Sequence, residues 1–254
     1  MQIRVLGCSG AIGGSARTTS FLVDDDVLVD VGTGTSDLTL EEMCAIDHIF
    51  LTHSHLDHIA HLPLLMDSVA HGRNKPIVVH ARPETIKALR EHIFNWQIWP
   101  DFTAVPTPEQ PFAILEEMAP GSTVELNGRR FRSIEAEHTV PAVGYLISGD
   151  NGSLIFSGDT TVNDGFWQAA NSCSDLRYVV VETTFVDAER DLSDLAKHLC
   201  PQLVASELSK LTVAADVYIT HLMPGQGDTI MREIGEHVDG SGPAALERGH
   251  VFSL

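Results

Sequence analysis

Four times along this chain an apolar, β-branched run gives out onto a histidine or an aspartate. Ile49-Phe50-Leu51 leads into Thr52-His53-Ser54-His55-Leu56-Asp57-His58, Phe131 to Ala136 leads to His138, Ser153 to Phe156 to Asp159, and Val213 to Thr220 to His221. Runs of this length and composition read as buried strands. Polar groups at the ends of strands can be held in fixed geometry by a rigid sheet scaffold. The pattern therefore asks for a fold that gathers several strand ends in one place.

The first of these endings packs three imidazoles and a carboxylate into residues 53–58. A short strand precedes it, and the helical apolar spacing of Ile59 to Ala70 follows, so it lies on a strand-to-helix loop. Alternate residues of an extended segment point the same way, which lets His53 and His55 reach one ion. Asp57 and His58 come after the chain has turned and would face a second. Imidazole nitrogen and carboxylate oxygen suit borderline divalent ions such as Zn²⁺, and the lack of cysteine argues against a closed structural finger. At a two-ion site, with the ions roughly 3.5–4 Å apart, a bridging hydroxide can attack in line while the cations hold charged substrate oxygens. The competing reading is a His-rich surface loop. His138 and His221 stand where further ligands are expected, and Asp159, just past its strand, can bridge two ions with one oxygen to each.

The 254 residues suit one large α/β domain, and a hydrophobic content of 43% is enough for a substantial core. Against 16 Lys plus Arg stand 35 Asp plus Glu, a formal charge of −19. Such a surface repels polyanions, and no basic run offers phosphate neutralisation, so no nucleic-acid partner is expected. A small anionic substrate is still compatible, because two dications dominate the field inside a pocket. Cys8, Cys44, Cys173 and Cys200 lie far apart without a Cys-x-x-Cys pair and read as free thiols in a reducing compartment. The start, Met1 to Leu6, alternates like a strand and lacks a signal-peptide core, and no apolar run approaches the ~18 residues of a membrane span. A cytoplasmic protein without a membrane partner is the expectation.

Elsewhere, Gly7 to Gly14 reads as a tight turn bordering the site, since no Gly-Lys-Ser/Thr follows to make a phosphate cradle. Thr19 to Val23 and Val27 to Val31 predict a hairpin, after which Asp30 either caps the histidine loop through backbone N–H groups or simply ends its strand. Pro76 to His80 predicts a strand and Pro83 to Phe94 an amphipathic helix, with His80 and His92 structural. Residues 95–117 read as an irregular insertion, rich in proline, in which Trp96, Trp99 and Phe102 either stack on a planar substrate or fill the insertion. Thr123 to Leu126 pairs with Phe131 to Ala136 around Asn127-Gly128, and Val143 to Ile147 with Ser153 to Phe156. Arg177 to Val181 is a strand closing on Glu182, and Pro201 to Leu211 a helix.

The His-x-His-x-Asp-His pattern at 53–58 resembles the hallmark of the metallo-β-lactamase superfamily, and the resemblance runs from Asp30 to His221. It implies a four-layer αββα sandwich of two mixed β-sheets flanked by helices, formed as one domain over residues 1–254. It also implies one ion held by His53, His55 and His138, the other by Asp57, His58 and His221, with Asp159 between them and Asp30 supporting the loop. The two divalent ions would be Zn²⁺, with Mn²⁺ or Fe²⁺ as alternatives. Glu182 and His198 resemble the acid pair of the phosphodiesterase branch: a carboxylate orients an imidazole that protonates the leaving alkoxide. The candidate catalytic residues are thus His198, Glu182 and Asp57, the last also a ligand.

Within that branch, three stretches look like the class II cyclic-nucleotide phosphodiesterases. They are His53 to Ala60, Ile98-Trp99-Pro100-Asp101-Phe102, and His198-Leu199-Cys200-Pro201-Gln202-Leu203 running on to Glu207, Leu208 and Leu211. The ending Thr220-His221-Leu222-Met223-Pro224 fits the same family. His61 departs from its pattern and, one helical turn from His58, would line the pocket. The expected activity is hydrolysis of a 3′,5′-cyclic nucleotide, cyclic AMP foremost, to its 5′-monophosphate. The alternatives are a ribonuclease Z-like tRNA 3′-processing endonuclease, which Glu182-Thr183-Thr184-Phe185 and His198 also resemble, and a non-catalytic metal-binding sensor or scaffold. A homodimer is compatible with such relatives.

Overall fold

The computed structural model describes residues 1–238, 240 and 242–254. In its first half the chain forms β1 (Gln2–Gly7), β2 (Ser20–Val23), β3 (Val27–Val29), α1 (Leu40–Ala45), β4 (His48–Phe50), α2 (Leu56–Ile59), α3 (Leu62–Val69), β5 (Ile77–Ala81) and α4 (Pro83–Ala88). The short strands β6 (Pro106–Thr107), β7 (Gln110–Pro111) and β8 (Ala113–Glu117) follow. The second half contributes β9 (Thr123–Leu126), β10 (Arg129–Ala136), β11 (Ala142–Gly149), β12 (Gly152–Phe156), α5 (Asp164–Ser172), β13 (Leu176–Glu182), α6 (Arg190–Ala196) and α7 (Pro201–Leu208). It closes with β14 (Asp216–Thr220), α8 (Gly227–His237), β15 (Ala244–Ala245) and β16 (Val251–Ser253).

Two seven-stranded mixed sheets result, in the orders β16-β1-β2-β3-β4-β5-β8 and β15-β14-β13-β12-β11-β10-β9. In the first, three antiparallel joints are followed by three parallel ones, and in the second, three parallel joints are followed by three antiparallel ones. The central strands β2, β3 and β12 are buried on both faces, and the period of two sorts side chains between layers. Phe21, Val23, Val27, Val29, Leu154 and Phe156 enter the core between the sheets. Leu22 and Leu28 turn outward to meet Leu62, Leu65, Met66 and Val69 on the first helical face. Ile155, Val179 and Val181 turn outward to Phe166, Val204 and Ile230 on the second. The expected four-layer αββα sandwich is the one observed.

Local departures have local causes. The helix expected over Ile59 to Ala70 is broken into α2 and α3, because Pro63 lies in the first turn of α3 and cannot donate the hydrogen bond that would join them. The helix from Pro83 relaxes after Ala88 into a wide π turn over Leu89–Ile93. The insertion is not irregular to its end: Ala113–Glu117 adds a parallel edge strand to β5. Phe102 is buried edge-to-face against Phe94 and Phe112, and Trp99 packs on the same core, whereas Trp96 is exposed. Helix α1 escapes the apolar pattern, although Thr39 and Glu42 form the reciprocal capping box that marks its start.

His80, expected to be structural, stacks on Phe50 at 4.5 Å, and its Nε2 lies 3.1 Å from Nδ1 of His48. Burial, and then the neighbouring His48, push its pKa down to about 4. An unfolded histidine protonates near ~6.5, so between that pH and 4 the unfolded chain binds the extra proton and stability falls as pH drops. The gap amounts to roughly 3 kcal/mol. Denaturant titrations at pH 7 and pH 4.5 should show His80→Phe losing roughly 2 kcal/mol less stability than the parent, most of that gap. An identical acid loss in both proteins would remove His80 as its source.

Candidate metal centre

The strand ends converge as the pattern requires. His53 and His55 follow β4, His138 follows β10, Asp159 follows β12, Glu182 ends β13 and His221 follows β14. The donor atoms of His53, His55 and His138 form one group within 4.8 Å of one another, and those of Asp57, His58, Asp159 and His221 form a second. Oδ2 of Asp159 lies 3.2 Å from Nε2 of His58, 3.3 Å from Nε2 of His221 and 3.7 Å from Nε2 of His53, between the two groups. Nε2 of His138 is 3.1 Å from Nδ1 of His55. Donors at the corners of a tetrahedron around Zn²⁺ at about 2.0–2.1 Å stand about 3.3–3.4 Å apart, so these spacings fit bound cations.

The hydrogen bonds behind the ligands decide which ring nitrogens are free. His58 donates from Nδ1 to Oδ2 of Asp30 at 2.7 Å. Thr52 donates its hydroxyl to the same oxygen at 2.8 Å and accepts Nδ1–H of His53 at 3.0 Å. His138 donates from Nδ1 to the carbonyl of Lys197 at 3.2 Å, and His221 donates from Nδ1 to the Thr184 hydroxyl at 2.9 Å. With Nδ1 protonated in all four rings, each Nε2 presents a lone pair, the arrangement in which histidine ligates a metal. Nε2 of His53, Nε2 of His58 and Oδ1 of Asp159 are buried without a hydrogen-bond partner. Lone pairs set against carboxylate oxygens in a buried site repel one another unless a cation lies between them. Without one, burial opposes charge on His58, but Asp159 and Asp30 prevail and raise its pKa well above the usual value. Burial likewise opposes ionisation of Asp57, yet hydrogen bonds from His221 and His58 hold its carboxyl below the usual range.

Backbone geometry supports the cluster. Asp30 adopts φ +58 and His221 φ +64, left-handed values that side chains usually avoid outside functional sites. Asp30 also accepts the Thr52 backbone N–H at 2.8 Å, so of its two anticipated roles it takes that of capping the histidine loop. Tyr145 of the opposite sheet donates its hydroxyl to the Leu51 carbonyl at 2.8 Å, locking the start of that loop. The glycine-rich turn borders the site: a Cβ on Gly10 would sit 2.7 Å from the His221 carbonyl. Gly158, at φ +61, leaves no room for a Cβ 2.5 Å from the Val143 carbonyl, and so delivers Asp159.

Beside the cluster, His198 donates from Nδ1 to Oε1 of the fully buried Glu182 at 2.7 Å. Burial works against charge on this ring, and the Glu182 carboxylate overrides it, lifting the pKa to about 9. The same carboxylate accepts the Thr184 hydroxyl at 3.2 Å, so Glu182 also steadies His221 through Thr184. The relay roles of Thr52 and Thr184 are not visible from the sequence. Each sits beside a motif residue, but only the folded chain shows which nitrogen its hydroxyl meets. His61 instead bonds the Gly32 carbonyl through Nδ1 at 3.0 Å and belongs to neither donor group.

Replacing Asp30 by alanine should keep every donor atom yet weaken metal binding about 10–100-fold, because His58 and Thr52 lose the group that orients them. Metal competition with a chromophoric chelator measures this. Unchanged affinity would mean the loop holds its shape without Asp30.

An αββα sandwich with His and Asp donors at its strand ends defines a class of metal-dependent hydrolase folds. The Beta-lactamase superfamily domain model matches residues 26–222, and the chain belongs to that family. Among curated relatives it is 30% identical over 158 residues to ribonuclease Z of Haloarcula marismortui, which covers 59% of this chain and 48% of the relative. It is 24% identical over 216 residues to a probable 3′,5′-cyclic-nucleotide phosphodiesterase of Yersinia pestis, covering 75% of this chain and 61% of that one. The chain thus spans about half the length of the ribonuclease Z it matches. The crystal structure of unliganded yeast PDE1 superposes with a TM-score of 0.81 at 20% identity, covering 100% of this chain and 99% of that one, which shows the shared fold. Among the described residues, no helix is long and apolar enough to cross a membrane.

Proposed function

We propose that this hydrolase-family protein is a phosphodiesterase that opens 3′,5′-cyclic nucleotides, cyclic AMP foremost, to 5′-monophosphates. The observation that carries the reading is the Glu182–His198 pair beside two donor groups of the right chemistry. His53, His55 and His138 would hold one divalent ion, Asp57, His58 and His221 the other, and Asp159 would touch both. When bound, such ions supply activated water at neutral pH and positive charge against phosphoryl oxygens. Glu182 fixes Nδ1 of His198 and leaves Nε2 to carry a proton. Nε2–H of the imidazolium is the group that would protonate the departing 3′ oxygen, after which Glu182 stabilises the ring for reprotonation. Zn²⁺ is the proposed metal, and a small anionic substrate the proposed partner.

A second reading, tRNA 3′ processing, is favoured by the 30% identity to ribonuclease Z. The charge of −19 weighs against it, because tRNA affinity depends on neutralising phosphates. The test is turnover of the metal-loaded protein on cyclic AMP, cyclic GMP and a labelled tRNA precursor, with tRNA binding followed across a salt titration. Cleavage of the cyclic nucleotides alone supports the proposal. Tight, steeply salt-dependent tRNA binding with precursor cleavage would replace it.

A further inference from the structure

The residue before His198 has two separable parts. Lys197 caps α6 in the left-handed conformation, φ 54 and ψ 49, and its carbonyl accepts Nδ1–H of His138. That backbone role needs no side chain. Left-handed geometry crowds a β-carbon against the backbone, and glycine is the residue that ordinarily fills such a helix end. A lysine here is therefore the expensive choice, and the structure gives it no compensating ion pair. Of the four lysines, Lys75 pairs with Asp47, Lys87 with Glu91, and Lys210 with Asp164 and Glu207. Lys197 has no carboxylate partner among the described residues and is exposed. In a chain with 35 acidic side chains, an unpaired ammonium joined to the metal centre through its own carbonyl is unlike its peers.

We propose that Lys197 is a substrate-binding residue whose ammonium recognises an anionic oxyanion, a phosphate or phosphodiester, presented at the metal centre. A four-carbon stem spans about 6 Å, enough to reach a substrate oxygen from a backbone that already touches His138. The ammonium offsets the repulsion that a strongly acidic surface exerts on an anionic substrate, which a neutral substrate does not feel. Lys197 thus selects charged esters over uncharged ones. This assignment deepens the phosphodiesterase reading but does not share its fate, since oxyanion binding can be measured without turnover.

Lys197→Gly separates the two parts: it keeps the carbonyl and the left-handed turn and removes the side chain with its ammonium. The metal-loaded protein, Lys197→Gly and Lys197→Arg are titrated with inorganic phosphate by calorimetry at low and moderate salt, with metal content and thermal midpoint recorded. The expected result is unchanged metal content, a midpoint at or above the parent's in the glycine variant because the left-handed strain is relieved, about tenfold weaker phosphate binding in that variant with a flatter salt dependence, and recovery of binding in the arginine variant. In turnover, the glycine variant should raise KM for an anionic aryl phosphodiester, and the arginine variant should restore it. Equal phosphate affinity in all three proteins would overturn the proposal and reduce Lys197 to a helix cap. Absence of phosphodiester cleavage by the parent, with the phosphate difference intact, would instead count against the cyclic-nucleotide reading alone.

Discussion

Replacing His198 by alanine should leave the bound metal unchanged and slow turnover of a cyclic nucleotide by about 10²–10⁴-fold, the usual worth of general acid catalysis. The expectation follows from position. His198 lies in ring contact with His138 and His221, at centroid distances of 4.9 and 5.3 Å, yet it is not among the seven residues proposed to hold the ions. Metal analysis and single-turnover rates on the same preparation separate the outcomes. Loss of metal in this variant would make His198 a ligand and leave the leaving group without a donor. The alkaline limb gives a second handle. With burial outweighed by Glu182, His198 keeps its proton up to about pH 9, so activity should hold below that value and fall above it, at a lower pH if bound cations oppose the charge. Glu182→Gln should move that limb down toward the ordinary ~6.5, which a purely structural role for Glu182 would not do.

Chelating the metals should unfold the protein at a distinctly lower temperature as well as abolish turnover. The buried lone pairs of His53 and His58 and the free oxygen of Asp159 face one another with nothing to satisfy them in the protein itself. A cation that binds only the folded chain stabilises it by about 4 kcal/mol when present at ~1,000 times its dissociation constant, and two sites add. The thermal midpoint should therefore climb with free Zn²⁺. It should also climb with pH at fixed Zn²⁺, because protons drawn onto His58 by Asp159 and Asp30 must leave before the ion can bind. Calorimetric scans across a chelator-buffered Zn²⁺ series measure this. A midpoint indifferent to chelator would mean that the cluster is satisfied by protons alone.

The chemistry of the site is legible in the sequence because its residue types are rare in combination and their spacing is local. His53 to His58 form one short loop, and the strands before His138, Asp159 and His221 announce themselves by apolar runs, of which the one before Asp159 is buried throughout. The same runs determine the layered fold, since strands buried on both faces need helices outside them. What only the tertiary structure decides is which groups meet across the chain. Thr52 serves Asp30, His53 and His58, and Thr184 joins Glu182 to His221, through hydroxyls with no periodicity to betray them. The sequence likewise leaves open whether Trp99 and Phe102 meet substrate; Phe102 is buried in the core and Trp99 packs half-buried against it. Helices α5 and α8, of 9 and 11 residues, are too short to be stable alone and bury Phe166, Trp167, Ala170, Ile230 and Ile234 in the core outside the second sheet, whereas α6 buries only Ser193. Residue type and local order decide the chemistry and the layers, whereas proton positions and ligand orientation depend on contacts between residues far apart in the chain, which exist only once the two sheets have closed on each other.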